Sequence, residues 1–212
     1  MGNIKDEVTP LVSVQCTVYN HEPFIRQCLE GIVMQKTNFK FEVVVHDDAS
    51  TDKSADIIRE FEVKYPEIIK PIYQKTNGYG SERNARMKKE AWRGKYLAMC
   101  EGDDYWTDSL KLQKQIDFLE NNKDFSLCFH NANLLNVSEG TIRPFRISKK
   151  EVYSTKDVIT SKWFCPTASI VMRIEVIETP LFSNRKIVNR DLLILFSASL
   201  IGKLFYFNEI LS

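Results

Sequence analysis

From residue 12 to residue 19 the chain alternates Val12, Val14, Cys16 and Val18 with Ser13, Gln15, Thr17 and Tyr19. That two-residue period predicts a strand, and Asn20-His21-Glu22-Pro23 ends it. From Phe24 the period lengthens, with Phe24/Ile25, Cys28/Leu29 and Ile32/Val33 recurring every four residues, the mark of a helix with one apolar face. Residues 41–46 are a short apolar run, read as a buried strand and closed by Asp47-Asp48-Ala49-Ser50-Thr51-Asp52. A second helix turns Ile57, Ile58 and Phe61 inward and stops at Pro66. Residues 68–73 predict a third strand, 81–92 a basic helix, and 96–100 a fourth strand that ends on acidic residues. Leu112, Ile116 and Leu119 stripe a further helix, and 125–130 return as a strand.

Strands alternating with helices over the first 130 residues predict right-handed βαβ units, hence an α/β fold with a mostly parallel central sheet covered by helices on both faces. Beyond Asn131 the alternation weakens. Residues 138–161 are polar and irregular, 163–173 read as a strand, and 191–201 as a helix. With neither repeats nor a low-complexity linker, residues 1–212 are read as one domain with a smaller second region from residue 132. A hydrophobic fraction of 43% in 212 residues is enough for one substantial core.

A net charge of +1 is too weak a field to argue for nucleic acid or an anionic membrane. The longest apolar run, residues 192–201, is interrupted by serines and falls short of the roughly 20 residues a spanning helix needs. Membrane association is therefore expected to be peripheral at most. Residues 1–7 carry no apolar stretch resembling a signal peptide. Cys16, Cys28, Cys100, Cys128 and Cys165 are odd in number and mostly lie inside apolar runs. They read as small core residues of a reduced, cytoplasmic protein.

In an open α/β sheet ligands sit beyond the carboxyl ends of the strands. Here those ends carry Thr17-Val18-Tyr19-Asn20, Asp47-Asp48 and Glu101-Gly102-Asp103-Asp104. So many carboxylates on one rim repel each other unless cations or hydrogen-bond donors compensate. Helix capping is the simpler role for an acid after a strand, and it suits Asp52. It does not suit Asp103 and Asp104, because Thr107 or Asp108 is better placed to cap the helix that follows. An acidic pair suits Mg²⁺ or Mn²⁺, which take hard oxygen ligands and complete their shells with phosphate and water. His21, His46 and His130 are too scattered to form a zinc set.

Taken in order, "VSVQCTVYNHEPFIRQCLEGIVMQ", "FEVVVHDDASTD", "ERN" and "GKYLAMCEGDDYW" resemble the nucleotide-binding half of family 2 glycosyltransferases, inverting enzymes of GT-A fold, here of a bacterial polysaccharide type. The match covers residues 10–131, leaving 132–212 as the acceptor-binding half. The resemblance implies a nucleotide-sugar donor, a UDP-sugar, with Mn²⁺ or Mg²⁺ as cofactor and a glycan or lipid-linked acceptor, in cell-surface polysaccharide synthesis at the inner face of the plasma membrane. It implies that Thr17 and Tyr19 line the base pocket and that Asp48 accepts the uracil N3–H. Asn20 and Glu22 fall in the same nucleotide-sugar-binding set. Glu101-Gly102-Asp103 stands in place of the family's Asp-x-Asp motif, so that Asp103 would hold the metal and Glu101 the ribose hydroxyls or, through water, the metal. Gly102 would let the backbone approach the ligand, and Asp104 would contact the donor sugar or support the metal ligands. Arg83 and Asn84 would orient the donor sugar or the acidic loop.

The resemblance also implies that Asp191 is the base that deprotonates the acceptor. Capping of its own helix is the competing role, and it would lower basicity. So would an ion pair with Arg190, which stands where the family has Gly or an acid, just as Leu192 replaces an aromatic residue. Many members continue into an aromatic and basic segment that closes over the diphosphate, and this sequence does not include it. A binding-only relative is thus an alternative. A sugar nucleotidyltransferase is disfavoured because residues 17–23 contain neither Gly nor Arg, and a phospho-acceptor domain because the acidic pairs do not follow the first strand. Trp163 and Phe164 are candidates for stacking on a sugar or for core packing.

Overall fold

The computed structural model describes residues 9–78, 80–146, 148–161, 163–182 and 189–212. The chain runs β1 (Val12–Val18), α1 (Ile25–Val33), β2 (Phe41–Asp47), α2 (Ser54–Lys64), β3 (Ile69–Tyr73), α3 (Glu82–Ala91), β4 (Tyr96–Met99), α4 (Lys111–Asn121) and β5 (Phe125–Asn131). The remaining elements are a hairpin of β6 (Asn133–Asn136) and β7 (Thr141–Pro144), β8 (Val152–Tyr153), α5 (Thr155–Thr160), β9 (Val171–Arg173), α6 (Arg190–Ile201) and β10 (Lys203–Ile210).

Eight strands form one sheet in the order β3-β2-β1-β4-β9-β5-β10-β8. The pairs β1/β2, β2/β3, β1/β4 and β5/β10 are parallel, whereas β9 lies antiparallel between β4 and β5. The fold class is thus the α/β, mostly parallel sheet expected from the alternation. Strand periodicity splits its core in two. Tyr96 and Ala98 of β4 pack with Val14, Ile25, Ile58 and Ile116 on one face. Leu97 and Met99 pack with Phe129, Phe164, Ile194 and Leu195 on the other. All five cysteines are buried free thiols, and no helix of the described residues is long and apolar enough to cross a membrane.

Two expectations need correction, and one strand was not foreseen. Of residues 163–173 only Val171–Arg173 is a strand, because the chain ahead of it makes a short 3₁₀ turn, Thr167–Ser169. That turn presents the Ala168 carbonyl to the Trp106 indole (2.8 Å) and the Ser169 carbonyl to Gln115 (2.9 Å). Residues 138–161 are less irregular than their polarity implied, containing β7, β8 and α5, the last closed by a Ser154/Asp157 capping box. The strand β10 gave no signal of its own, yet it pairs with β5 over most of its length.

The basic segment that ends α3 and leads to β4 also makes a partly buried ion pair. Arg93 donates two hydrogen bonds (2.9 and 2.7 Å) to Glu42, a buried carboxylate that also accepts from Ser13 (2.7 Å). A side chain on Gly94 would stand 2.4 Å from the Ser13 nitrogen, so glycine lets the chain cross β1 here. Asp108 behaves as a helix-initiating acid, its carboxylate accepting from the Leu110 N–H (2.6 Å) ahead of α4.

The buried face of α4 carries one costly residue. Lys111 is fully buried, with its ammonium 4.0 Å from the Trp106 ring centroid and no hydrogen-bond partner among the described residues. The ring favours the charged amine, but burial outweighs it and pushes the pKa down to about 7 from 10.5. The amine must therefore lose its proton on folding at any pH between those values. The unfolded chain alone holds that proton there, so stability rises with pH across the window, and below about pH 7 the penalty is constant. Lys111→Met is expected to raise Tm most at pH 6, by several degrees for a penalty on the order of a few kcal/mol, and progressively less toward pH 10. Thermal unfolding at both pH values checks this. An equal gain at both would reject a buried amine as the cause.

Candidate functional site

The strand ends that the sequence singled out are pinned together by main-chain bonds. Gly102 N donates to the Thr17 carbonyl (3.0 Å) and Asp48 N to the Val18 carbonyl (2.9 Å). The loop after β1 is then laced to the loop after β2. Asn20 Oδ1 accepts from Thr51 N (2.8 Å), Asn20 N donates to the Ser50 hydroxyl (3.0 Å), and Glu22 Oε2 accepts from Lys53 N (3.1 Å). Asp52 accepts from Ser54 N (2.9 Å) at the start of α2, the capping role read for it, and also from Glu22 N (3.0 Å). Asn20 and Ala49 take up positive φ, 56° and 62°, which Asn tolerates and which strains Ala. The side-chain oxygens of Asn20 and Glu22 are thus engaged in lacing the loops, while Tyr19 stands 45% exposed on the rim.

Asp48 is almost fully buried. Its Oδ1 accepts from Asn84 Nδ2 (2.7 Å) and from Gly78 N (3.0 Å). Asn84, near the start of α3, is itself buried, and its backbone N–H is capped by the Ser81 hydroxyl (3.2 Å). The pair expected to handle the donor sugar therefore divides. Asn84 is committed to Asp48, whereas Arg83 is exposed and makes no hydrogen bond or ion pair among the described residues.

Glu101, Asp103 and Asp104 follow the end of β4, and Asp191 of α6 lies near enough for its charge to act on Glu101 and Asp104. Burial, then the charges of Asp191, Asp103 and Asp104, push the Glu101 carboxyl up to about 7, with Lys88 opposing. Burial and the charges of Asp103 and Asp191 push Asp104 up to about 6. Both side chains still meet solvent, which moderates these shifts without changing their direction. Asp191 is half-buried. Burial raises its carboxyl, with a weaker opposing pull from the Thr167 hydroxyl. Its helix is capped by its neighbour, Asn189 Oδ1 accepting from Leu192 N (3.0 Å), and Arg190 lies over the Phe182 ring at 5.5 Å. Asn189 rather than Asp191 thus fills the cap of α6.

Glu101, Asp103, Asp104 and Asp191 bring four carboxylates together, with Lys88 opposing their effect on Glu101 among the described residues, and their hard oxygens suit a divalent cation. Among the described residues no three His, Cys, Asp or Glu side chains converge closely enough to hold a metal by themselves. The arrangement therefore fits a cation held by one or two carboxylates and completed by a ligand's phosphates and water, as Mg²⁺ commonly is. Sequence reasoning missed three neighbours of this acidic group. Lys88 follows Asn84 by one helical turn, so the inward face of α3 foretold it. Thr167 gave no signal. His21 packs against Gly102, a contact hidden in a residue read only as structural. Of the stacking candidates, Phe164 is core, stacked on Tyr153 at 4.8 Å, and Trp163 is 41% exposed.

Comparison with known proteins places these features in a family. The sequence model of "Glycosyl transferase family 2" matches residues 13–178. The uncharacterized protein Rv1520 of Mycobacterium tuberculosis is 38% identical over 162 residues, 76% of this chain and 46% of that one. Among solved structures, S. aureus TarS 1–349 in complex with UDP-GlcNAc superposes with a TM-score of 0.69 at 20% identity, over 93% of this chain and 56% of that one. The mannosyltransferase PcManGT from Pyrobaculum calidifontis, in complex with GDP-Man and Mn²⁺, gives 0.69 at 17% identity, over 97% and 57%. At such identities the likeness is one of fold, and the chain spans about half the length of each of these proteins.

The close packing under the acidic loop makes a prediction. A Cβ on Gly102 would lie 2.7 Å from His21 Nδ1 and 2.9 Å from Val18 Cγ2. Gly102→Ala is expected to cost about 1–3 kcal/mol, read as a Tm lower by several degrees. Combining it with His21→Ala should restore part of the loss. An unchanged Tm in Gly102→Ala would show that the loop has room to spare.

Proposed function

Because the chain belongs to glycosyl transferase family 2, we propose that it transfers a sugar from a UDP-sugar to a hydroxyl of a glycan or lipid-linked acceptor, inverting the anomeric centre. The observation that carries this reading is the meeting of Asp191, from the acceptor-side helix α6, with Glu101 and Asp104 at the end of β4. A base beside a phosphate-and-cation site is what one in-line displacement needs.

In this reading Tyr19 and Thr17 line the base pocket and Asp48 accepts the uracil N3–H. Asp103 holds the cation, with Glu101 reaching the ribose hydroxyls or the same cation through water. When bound, that cation supplies Lewis-acid stabilisation of the charge that develops on the diphosphate. The Asp191 carboxylate takes the acceptor's hydroxyl proton as the acceptor oxygen bonds to the anomeric carbon, and the bond from that carbon to the diphosphate breaks on the opposite face. The raised carboxyl of Asp191 makes it a stronger base than an ordinary exposed aspartate. The same feature favours an enzyme over a binding-only relative.

Calorimetry with UDP and Mn²⁺, together with UDP release from UDP-sugars, tests the assignment. Asp103→Ala is expected to weaken UDP binding and abolish its metal dependence. Asp191→Asn should leave UDP affinity within about twofold while cutting turnover by roughly 10²–10⁴. Equal loss of binding and turnover in Asp191→Asn would make it a structural residue, and metal-independent UDP binding by the unaltered chain would remove the cation from the site.

A further inference from the structure

We propose that Asn84 is a positioning residue that sets the choice of base by occupying one oxygen of Asp48. The inference rests on the nucleotide-pocket reading above and deepens it. Asp48 Oδ1 accepts two hydrogen bonds, from Asn84 Nδ2 (2.7 Å) and from Gly78 N (3.0 Å), which uses both of its lone pairs. Oδ2 accepts none among the described residues and is not sealed from solvent. The Asn77 amide holds the Asp48 main-chain carbonyl (3.2 Å) and the Val18 carbonyl its N–H (2.9 Å), so the carboxylate cannot turn to exchange its oxygens without breaking several bonds. The fit is tight, because a Cβ on Gly78 would lie 2.8 Å from Asn84 Nδ2 and 2.9 Å from its Oδ1.

A carboxylate with a single free oxygen is selective. The N3–H of uracil is one donor and needs one acceptor. Guanine presents adjacent N1–H and N2–H donors, which a carboxylate satisfies best with both oxygens. Cytosine presents a lone pair at N3, which a carboxylate repels. By taking Oδ1, Asn84 removes the two-oxygen mode and aims Oδ2 at a single donor. Asn84 itself is buried and touches Asp48 rather than the base.

Calorimetry of UDP, CDP and GDP with Mn²⁺ tests this on the unaltered chain, Asn84→Ala and Asn84→Ser, with circular dichroism to confirm folding. The unaltered chain is expected to prefer UDP. In Asn84→Ala the UDP affinity should fall about 5–10-fold, the worth of one such hydrogen bond, with GDP and CDP less affected, so that the preference contracts by a similar factor. Should Asn84→Ala not fold, Asn84→Ser carries the same expectation with a smaller cavity. Equal weakening of all three nucleotides, or an unchanged preference in a folded variant, overturns the proposal by making Asn84 merely structural. A lack of UDP preference in the unaltered chain is a separate result and defeats the uracil reading itself.

Discussion

Parallel strands end at the same edge, and in this chain those ends are acidic, so electrostatic repulsion at one rim is the constraint around which the site is built. The structure answers it in two ways. Asp48, Asp52 and Glu22 are supplied with N–H donors from Asn84, Gly78, Ser54 and Lys53. Glu101 and Asp104 have no such donor among the described residues, and their carboxyls rise toward neutrality in response to burial and to neighbouring acids. The acids thus separate into a satisfied set that shapes the loops and an unsatisfied set that awaits positive charge. Under the proposed function, the second set is where a cation and a diphosphate would bind.

The acceptor side depends on one aromatic residue of the same acidic segment. Trp106 is buried beneath α1, so closely that a Cβ on Gly31 would lie 2.6 Å from its carbonyl, and its indole holds the Ala168 carbonyl. The bond from Met99 N to the Ile170 carbonyl (3.0 Å) continues this junction into β9. Thr167, on the near side of the same turn, is thereby set beside Asp191. The antiparallel strand β9 thus does more than widen the sheet, since it ties the acceptor-side turn to the strand that carries the acidic loop. The buried amine of Lys111 against Trp106 shows that this packing is kept despite an electrostatic cost.

The first 131 residues were legible because each element there has its own period and each is closed by turn residues, so strand ends and their polar side chains followed directly. The family resemblance, carried by those same ends, agreed with the family the chain belongs to. What the sequence hid were features made by partners distant along the chain. Residues 204–207 are apolar on both faces and show no strand-like alternation, becoming part of a strand through pairing with β5. The family resemblance assigns Asn84, with Arg83, to orienting the donor sugar or the acidic loop, and the Asn84 amide meets a carboxylate 36 residues away. A helix-opening acid such as Asp191 looks in sequence like a cap with depressed pKa. Its burial, and the fact that Asn189 already fills the cap, emerge only in three dimensions.

In the proposed inverting reaction, the placement of Asp191 explains why the base would not come from the acids that precede it in the chain. Inversion requires proton removal on the face of the sugar opposite the leaving diphosphate. Residues at the ends of β1, β2 and β4 are held together by main-chain bonds and would approach the donor from one side. A base from another direction has to be carried by an element rooted in the other layer of the fold. The helix α6 is such an element, since Ile194 and Leu195 pack with Leu97, Met99 and Phe129 on the face of the sheet opposite α1, α2 and α4. Its first turn nevertheless reaches the carboxylates at the end of β4 strongly enough to shift them. In the proposed reaction the two layers of the core would divide the chemistry, with donor binding on the strand ends and proton transfer on a helix from the opposite face.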